Sequence, residues 1–419
     1  MPIDPKTWTR AELERHSVDM RQFIDFRQST LANGMRIIEA YNSSGLTFTI
    51  LPDRGMDIWT AHYKGIPLTW ISQGSPHPPD FGQTWLQQFN GGLLTTCGLT
   101  HVGPPEKDDV TGEVRGLHGD YTRLRAQDIW IDREHQGGWR EIKKDFTGFS
   151  EIFEEFFAKR SQEQGENASV ERKFDTVTEF TPYTLYNLAL HGTIYQSSLF
   201  GEQLRIERSI YQTLGDPGFG LSDTIINMGD RPVPLMLLYH INLGFPLIQA
   251  GTRLYAQHEN VYPRDAAAKA GYATWSRYEA ASAGYPEQVF YHHMRGFPYG
   301  DNHASTRVLV TNESEDFGLY LHWEAKNLPY FSQWKNTRQG LYVNGIEPAN
   351  CVPEGLNAAR MNNRLTFLEP GQHIETNWGL DVLDDVDKIK AHIDTVQRFQ
   401  RKGTPLPNCH LDDYAQFAE

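Results

Sequence analysis

From Ala32 onward the chain reads as short runs of alternating apolar and polar residues, each ended by a turn. Met35-Arg36-Ile37-Ile38-Glu39-Ala40 follows the hairpin-type turn Asn33-Gly34. Leu46-Thr47-Phe48-Thr49-Ile50-Leu51 alternates and then breaks at Pro52-Asp53-Arg54-Gly55, and Met56 to Tyr63 and Ile66 to Ile71 flank Lys64-Gly65. The rhythm returns in Leu204 to Tyr211, Gly220 to Asn227, Val308 to Asn312 and Gly318 to Trp323. A period of two sends successive side chains to opposite faces of a strand. Strands spaced roughly 8–12 residues apart, with few helical runs between them, predict an all-β sandwich or barrel.

The two ends differ from this middle. Residues 5–28 read as one or two short helices, with Thr9 as a cap before Arg10-Ala11-Glu12-Leu13-Glu14. Asp384 to Arg401 reads as an amphipathic helix with Val386, Ile389, Ile393 and Val396 near one stripe, suited to packing or to a homodimer contact. No Pro/Ser-rich linker or fixed-period repeat divides the chain. The expected organisation is a helical extension over 1–30, one β domain over 31–383, and a C-terminal helix and tail over 384–419. Arg160 to Ala168, rich in Glu, Gln and Asn, reads as a solvated surface loop.

Composition narrows the function classes. A formal net charge of −14 disfavours nucleic acid or an anionic membrane surface as a partner, because both repel an acidic protein. Cys97, Cys351 and Cys409 are too scattered for a disulfide framework and match no zinc or C-x-x-C spacing. Met1 to Met20 lacks the apolar core of a signal peptide, and no run approaches the ~18 apolar residues of a membrane span. A soluble, cytoplasmic protein is the expectation. The 10 Trp, 19 Tyr, 22 Phe and 36 Gly suit a large turn-rich β core, and aromatic faces also stack on sugars.

Three local texts could carry chemistry. In Gly116-Leu117-His118-Gly119-Asp120 the glycines let other chains approach a histidine ring, although Leu190-His191-Gly192 repeats the pattern and a lone His-Gly is usually structural. In the apolar strand Pro234 to Pro246, His240 and Asn242 lie two residues apart and so share a face, where both need partners from the protein or from a ligand. In Gly340 to Asn350, Glu347 ends an apolar strand before Pro348. A carboxylate there is either paired or raised in pKa and usable as a base. The neighbouring histidines His292 and His293, with His303 nearby, face opposite sides of a strand, so no metal site is expected.

The order of these texts resembles that of the aldose 1-epimerase (galactose mutarotase) superfamily: a Leu-His-Gly text, a histidine on a central strand, then Gly345-Ile346-Glu347-Pro348. The closing Leu368-Glu369-Pro370-Gly371-Gln372-His373-Ile374-Glu375-Thr376-Asn377-Trp378 also resembles that superfamily's last strand. The run from Leu51-Pro52-Asp53-Arg54-Gly55-Met56-Asp57-Ile58 through His118 and Tyr239-His240-Ile241-Asn242 to Glu347 looks like its DUF4432 branch, over about residues 30–383. The resemblance implies a galactose-mutarotase-like antiparallel β-supersandwich with a small carbohydrate as ligand, and acid/base ring opening without a metal or cofactor. By position it makes Glu347 the base, His240 the acid at the ring oxygen and His118 a second donor.

The chain also departs from the pattern. Tyr239 stands where the superfamily usually has Asn, and Asn90 to His101 stands where many relatives place an arginine. Hydroxyl recognition then falls to Arg54, His101, Asn242, Trp334 or Lys335. Arg54 also reads as a turn residue, Trp334 as core, and Lys335 as a solvated charge unless the ligand is acidic. A sugar-binding protein without turnover, and another proton transfer on a modified sugar, remain open alternatives.

Overall fold

In a computed structural model of the chain, residues 5–74, 76–133, 186–299, 303–406, 409, 411 and 414 are described. The predicted loop Arg160 to Ala168 lies outside them. The first half of the fold contributes β1 (Ile24–Thr30), β2 (Arg36–Asn42), β3 (Leu46–Leu51), β4 (Asp57–Tyr63), β5 (Leu94–Leu99), β6 (Ala126–Asp132), β7 (Asn187–Ser197), β8 (Gln203–Thr213) and β9 (Gly218–Asn227). The second half contributes β10 (Val233–Leu243), β11 (Arg253–Ala256), β12 (His258–Pro263), β13 (Gln288–Tyr299), β14 (His303–Thr311), β15 (Gly318–Glu324), β16 (Tyr330–Arg338), β17 (Leu341–Ala349) and β18 (His373–Leu383).

Antiparallel pairing arranges these strands in two layers. The front sheet runs β1-β2-β3-β4-β5-β10-β17-β16-β13-β12. The back sheet runs β6-β7-β8-β9-β18-β15-β14-β11. Strand β13 belongs to both, because its end, Phe297 to Tyr299, pairs with β14. Phe48 on β3 meets Phe219 on β9 with ring centroids 4.9 Å apart, and buried Trp323 and Trp378 fill the space between the layers.

The same interior contains a charged knot. The Arg208 guanidinium is fully buried on β8 and donates through Nε and Nη2 to the two oxygens of Asp223 at 2.8 and 2.7 Å, and through Nη1 to Asp57 at 3.2 Å. Tyr239 on β10 donates its hydroxyl to Asp223 at 2.6 Å, and Asp57 accepts from the Thr96 hydroxyl at 2.7 Å. Every member has a partner, the condition under which charges can leave water. The Pro52-Asp53-Arg54-Gly55-Met56-Asp57 text therefore links the two sheets. Gly55 takes the left-handed φ of 62°, its carbonyl accepts from Arg208, and Tyr121 packs against its Cα.

The ends follow the expectations in part. Thr9 forms a capping box with Glu12 ahead of the helix Arg10–His16. Residues 24–28, read as helical, are instead in β1, where Phe26 opposite Ala40 is buried in the core. The predicted strand Ile66 to Ile71 is a two-residue ladder, Ile66–Pro67, followed by isolated bridges at Thr69 and Ile71; proline supplies no N–H to continue it. The C-terminal helix, Val386–Lys402, is capped by Asp385, and Ile389 and Ile393 pack on Leu309, Tyr320 and Leu383 of the back sheet. Its apolar stripe thus faces this chain's own core, while Val386 at its start is 40% exposed.

Candidate functional site

The position of the candidate site follows from which way β10 faces. Tyr239 points between the layers to Asp223, so alternation sends His240 and Asn242 to the outer face of the front sheet. The β10–β17 register pairs Leu238 with Ala349 and Ile241 with Ile346, which puts Glu347 directly across from His240 and Gly345 across from Asn242. On the next strand Ser332 faces Glu347 and Trp334 faces Gly345. His240, Asn242, Glu347, Gly345 and Trp334 therefore share one patch of one face.

Within the patch, His240 Nε2 lies 3.2 Å from Glu347 Oε1. Both side chains are almost wholly buried, and Glu347 Oε1 and His240 Nδ1 have no hydrogen-bond partner. Gly345 keeps this space open. A Cβ there would lie 2.5 Å from Glu347 Oε1, 3.0 Å from Trp334 Cβ and 3.1 Å from His240 Cε1.

An aromatic wall continues from the pair. The turn Trp85–Gln88, capped by Thr84, presents Phe89 at 5.8 Å from the His240 ring and 6.5 Å from Trp334, and Trp85 stacks on Phe89 at 4.7 Å. His118 lies edge-on to Trp85 at 5.0 Å. It is half-buried in a left-handed backbone conformation (φ 54°), and its Nδ1 has no partner. His118 thus joins the patch through Trp85 and Phe89.

Burial controls the titration of the group. It pushes Glu347 up to about 8, with the negative charge of Glu287 adding to the effect and Arg264 opposing it. It depresses His240 to about 3, with His118 adding to the effect, and His118 to about 4, with His101 and Arg264 adding. Both shifts favour the uncharged forms, a carboxylic acid beside a neutral imidazole.

Other predicted residues lie elsewhere. Arg54 is buried and donates to the Gln88 carbonyl at 2.8 Å, which secures the turn that presents Phe89. His101 is buried with Nε2 2.9 Å from the Pro104 carbonyl, supporting the loop behind His118. Asn242 donates to the Gly92 and His240 carbonyls, and its Oδ1 has no partner. Lys335 is not part of the patch: one residue beyond Trp334, it faces the opposite side of β16. There its ammonium is fully buried and donates to Thr274 O, Arg277 O and Glu279 Oε1 at 2.8, 2.6 and 2.9 Å. His191 stacks on Trp130 at 4.1 Å and meets Ser209 at 2.7 Å in the back sheet, away from the pair.

His292 and His293 face opposite sides of β13, as alternation requires. His292 contacts His258 and Gln333, whereas His293 Nδ1 lies 3.8 Å from Glu259. Among the described residues no group of three or more His, Cys, Asp and Glu could hold a metal ion.

Two groups were not legible in the sequence. Glu287 accepts from Trp334 Nε1 at 2.9 Å and from Arg264 at 3.1 Å, giving the rim of the patch a polar arm. Arg264 sits after Pro263 at the end of β12, and Glu287 just before β13. Neither has a periodic pattern or motif that marks it in one dimension.

Known structures share this architecture. A provisionally assigned aldose 1-epimerase from Klebsiella pneumoniae superposes with a TM-score of 0.74 at 21% identity, covering 96% of this chain and 99% of the other. A galactose mutarotase-like protein from Clostridium acetobutylicum superposes with a TM-score of 0.52 at 10% identity, covering 87% and 99%. The fold is thus a galactose-mutarotase-like antiparallel β-sandwich. The profile of DUF4432, described as a domain of unknown function, matches residues 32–144 and 176–382, and the chain belongs to that family. A search of curated proteins found no match. Among the described residues no helix is long and apolar enough to cross a membrane.

Proposed function

We propose that the protein is an aldose 1-epimerase-like isomerase that interconverts the anomers of a small carbohydrate by acid/base ring opening. The observation that carries this reading is the unpartnered Glu347 Oε1 3.2 Å from His240 Nε2, on a face walled by Trp334 and Phe89. Moving the Glu347 proton to His240 Nε2 gives a carboxylate and an imidazolium with no change in net charge, a charge separation that burial opposes and that hydrogen bonds from the sugar hydroxyls offset. The carboxylate then takes the proton of the anomeric hydroxyl, the electrons of that O–H form C1=O, and the bond from C1 to the ring oxygen breaks. His240 delivers its proton to the ring oxygen. Rotation about C1–C2 and the reverse proton flow close the other anomer. General acid/base help of this kind contributes about 10²–10⁴-fold in rate. His118 serves as a further donor to the ring oxygen or a hydroxyl, Asn242 Oδ1 as a hydroxyl acceptor and Trp334 as a stacking face.

Saturation-transfer NMR on the anomeric protons of aldoses, ketoses and uronic acids tests this reading and names the substrate. Faster exchange for one sugar supports it; no acceleration for any sugar contradicts it. A specific observation favours a second reading, proton transfer on an acidic sugar: Arg264 donates to Glu287, which also accepts from Trp334 Nε1, so a cation stands at the rim of the patch. Acceleration confined to uronic acids would select it. A cytoplasmic location and a homodimer belong to the same proposal.

A further inference from the structure

A cavity of about 330 Å³ lies between the C-terminal helix and the edge strand β11. Its walls include Arg253, Arg277, His258, Trp275, Gln397 and Gln400. The size falls within the range of small-molecule sites, about 300–1,000 Å³.

The charges of the wall are unusual. Arg253 and Arg277 are partners in an isolated antiparallel bridge, so the two cations sit directly opposite each other on one face. Like charges in that position are destabilising. Glu315 pairs with Arg253 at 3.0 Å, whereas among the described residues no carboxylate pairs with Arg277. Among the described residues the wall thus keeps one guanidinium without a carboxylate, that of the exposed Arg277, a planar fork of donors suited to a phosphate or carboxylate. Gln397 and Ser276 also line the cavity, together with Trp275.

The floor is ordered by a directional chain. Gln400 Nε2 lies 3.1 Å from His258 Nε2, and as an amide N–H it must donate, which leaves the His258 proton on Nδ1. His258 Nδ1 then donates to His292 Nδ1 at 3.4 Å, and His292 Nε2 donates to Gln333 Oε1 at 3.3 Å. The chain ends on the residue next to Trp334, on the opposite face of β16. From these observations we propose that the cavity is a second ligand site, for a small organic anion carrying a phosphate or carboxylate, behind the strand that bears Trp334.

Isothermal titration calorimetry of the full chain at pH 7 with inorganic phosphate, glucose 6-phosphate, glucuronate and glucose tests the proposal. Saturable binding is expected for at least one anion, whereas any binding of glucose should be unchanged by Arg277→Gln; the phosphate and glucuronate arms distinguish the two anion chemistries. Arg277→Gln should weaken that binding at least tenfold, as should Ser276→Glu, which sets a negative charge in the wall. Arg264→Gln, at the other site, should leave it unchanged. No saturable anion binding, or binding that Arg264→Gln abolishes and Arg277→Gln does not, would overturn it.

Discussion

Glu347 and His240 occupy directly opposed positions on neighbouring antiparallel strands, and their facing atoms are 3.2 Å apart. Direct cross-strand pairs have the shortest Cβ separation a sheet offers, about 4.5–5.5 Å. The register of β10 and β17 therefore does what a long loop could not: it fixes the distance between an acid and a base. Two consequences concern protons.

The first is a pH-dependent stability. A carboxyl raised from 4.5 to about 8 binds its proton more tightly when folded, so its favourable contribution is full below pH 4.5 and is lost as pH rises through 8. Glu347→Gln removes that loss. Its thermal midpoint should exceed that of the wild type by more at pH 8.5 than at pH 5, and an equal difference at both values would contradict the assignment.

The histidines act with the opposite sign. His118, His258 and His392 are depressed to about 4 and His240 to about 3, burial being the largest cause in each. The folded state holds them neutral, so stability is complete above pH 6.5 and falls as the pH drops toward those values. Each contributes up to about 1.4 kcal/mol per pH unit over that window. Urea unfolding at pH 7.0 and 5.0 should show a clearly lower midpoint at pH 5.0.

Gly345 offers a test of the open space. A methyl group there collides with the Glu347 carboxylate and the His240 ring, although its backbone is unstrained. Gly345→Ala should lower catalysed anomer exchange by at least about tenfold, a 1.4 kcal/mol effect, while the far-ultraviolet circular dichroism stays that of the wild type. Full activity would show that the pair tolerates displacement and is not the reacting centre.

The interlayer knot predicts a stability effect without a role in chemistry. Arg208→Met leaves Asp57 and Asp223 buried without their cation, a loss of about 3–5 kcal/mol for a broken buried pair. Urea unfolding should register it. A variant as stable as the wild type would show that the two carboxylates find other partners.

Much of this was legible in the sequence, for reasons that differ by element. Period-two alternation identified the strands, and it also placed His240 and Asn242 on one face. Thr9 and the helix after Asp384 carried local capping and periodic signals that no distant contact had to supply. Ile24 to Gln28 misled because the burial of Phe26 depends on pairing with β2, which the local text does not encode. Lys335 misled in the same way: the acceptors that neutralise it, from Thr274 to Glu279, arrive from 56 to 61 residues away. Arg264 and Glu287 were missed because only the fold brings them to Trp334.

The most direct test of the central claim is anomer exchange by saturation-transfer NMR with the wild type, Glu347→Gln and His240→Asn on the sugar that the wild type exchanges fastest. The account predicts acceleration by the wild type and its loss, by about 10²-fold or more, in both variants. Undiminished exchange in Glu347→Gln would contradict it.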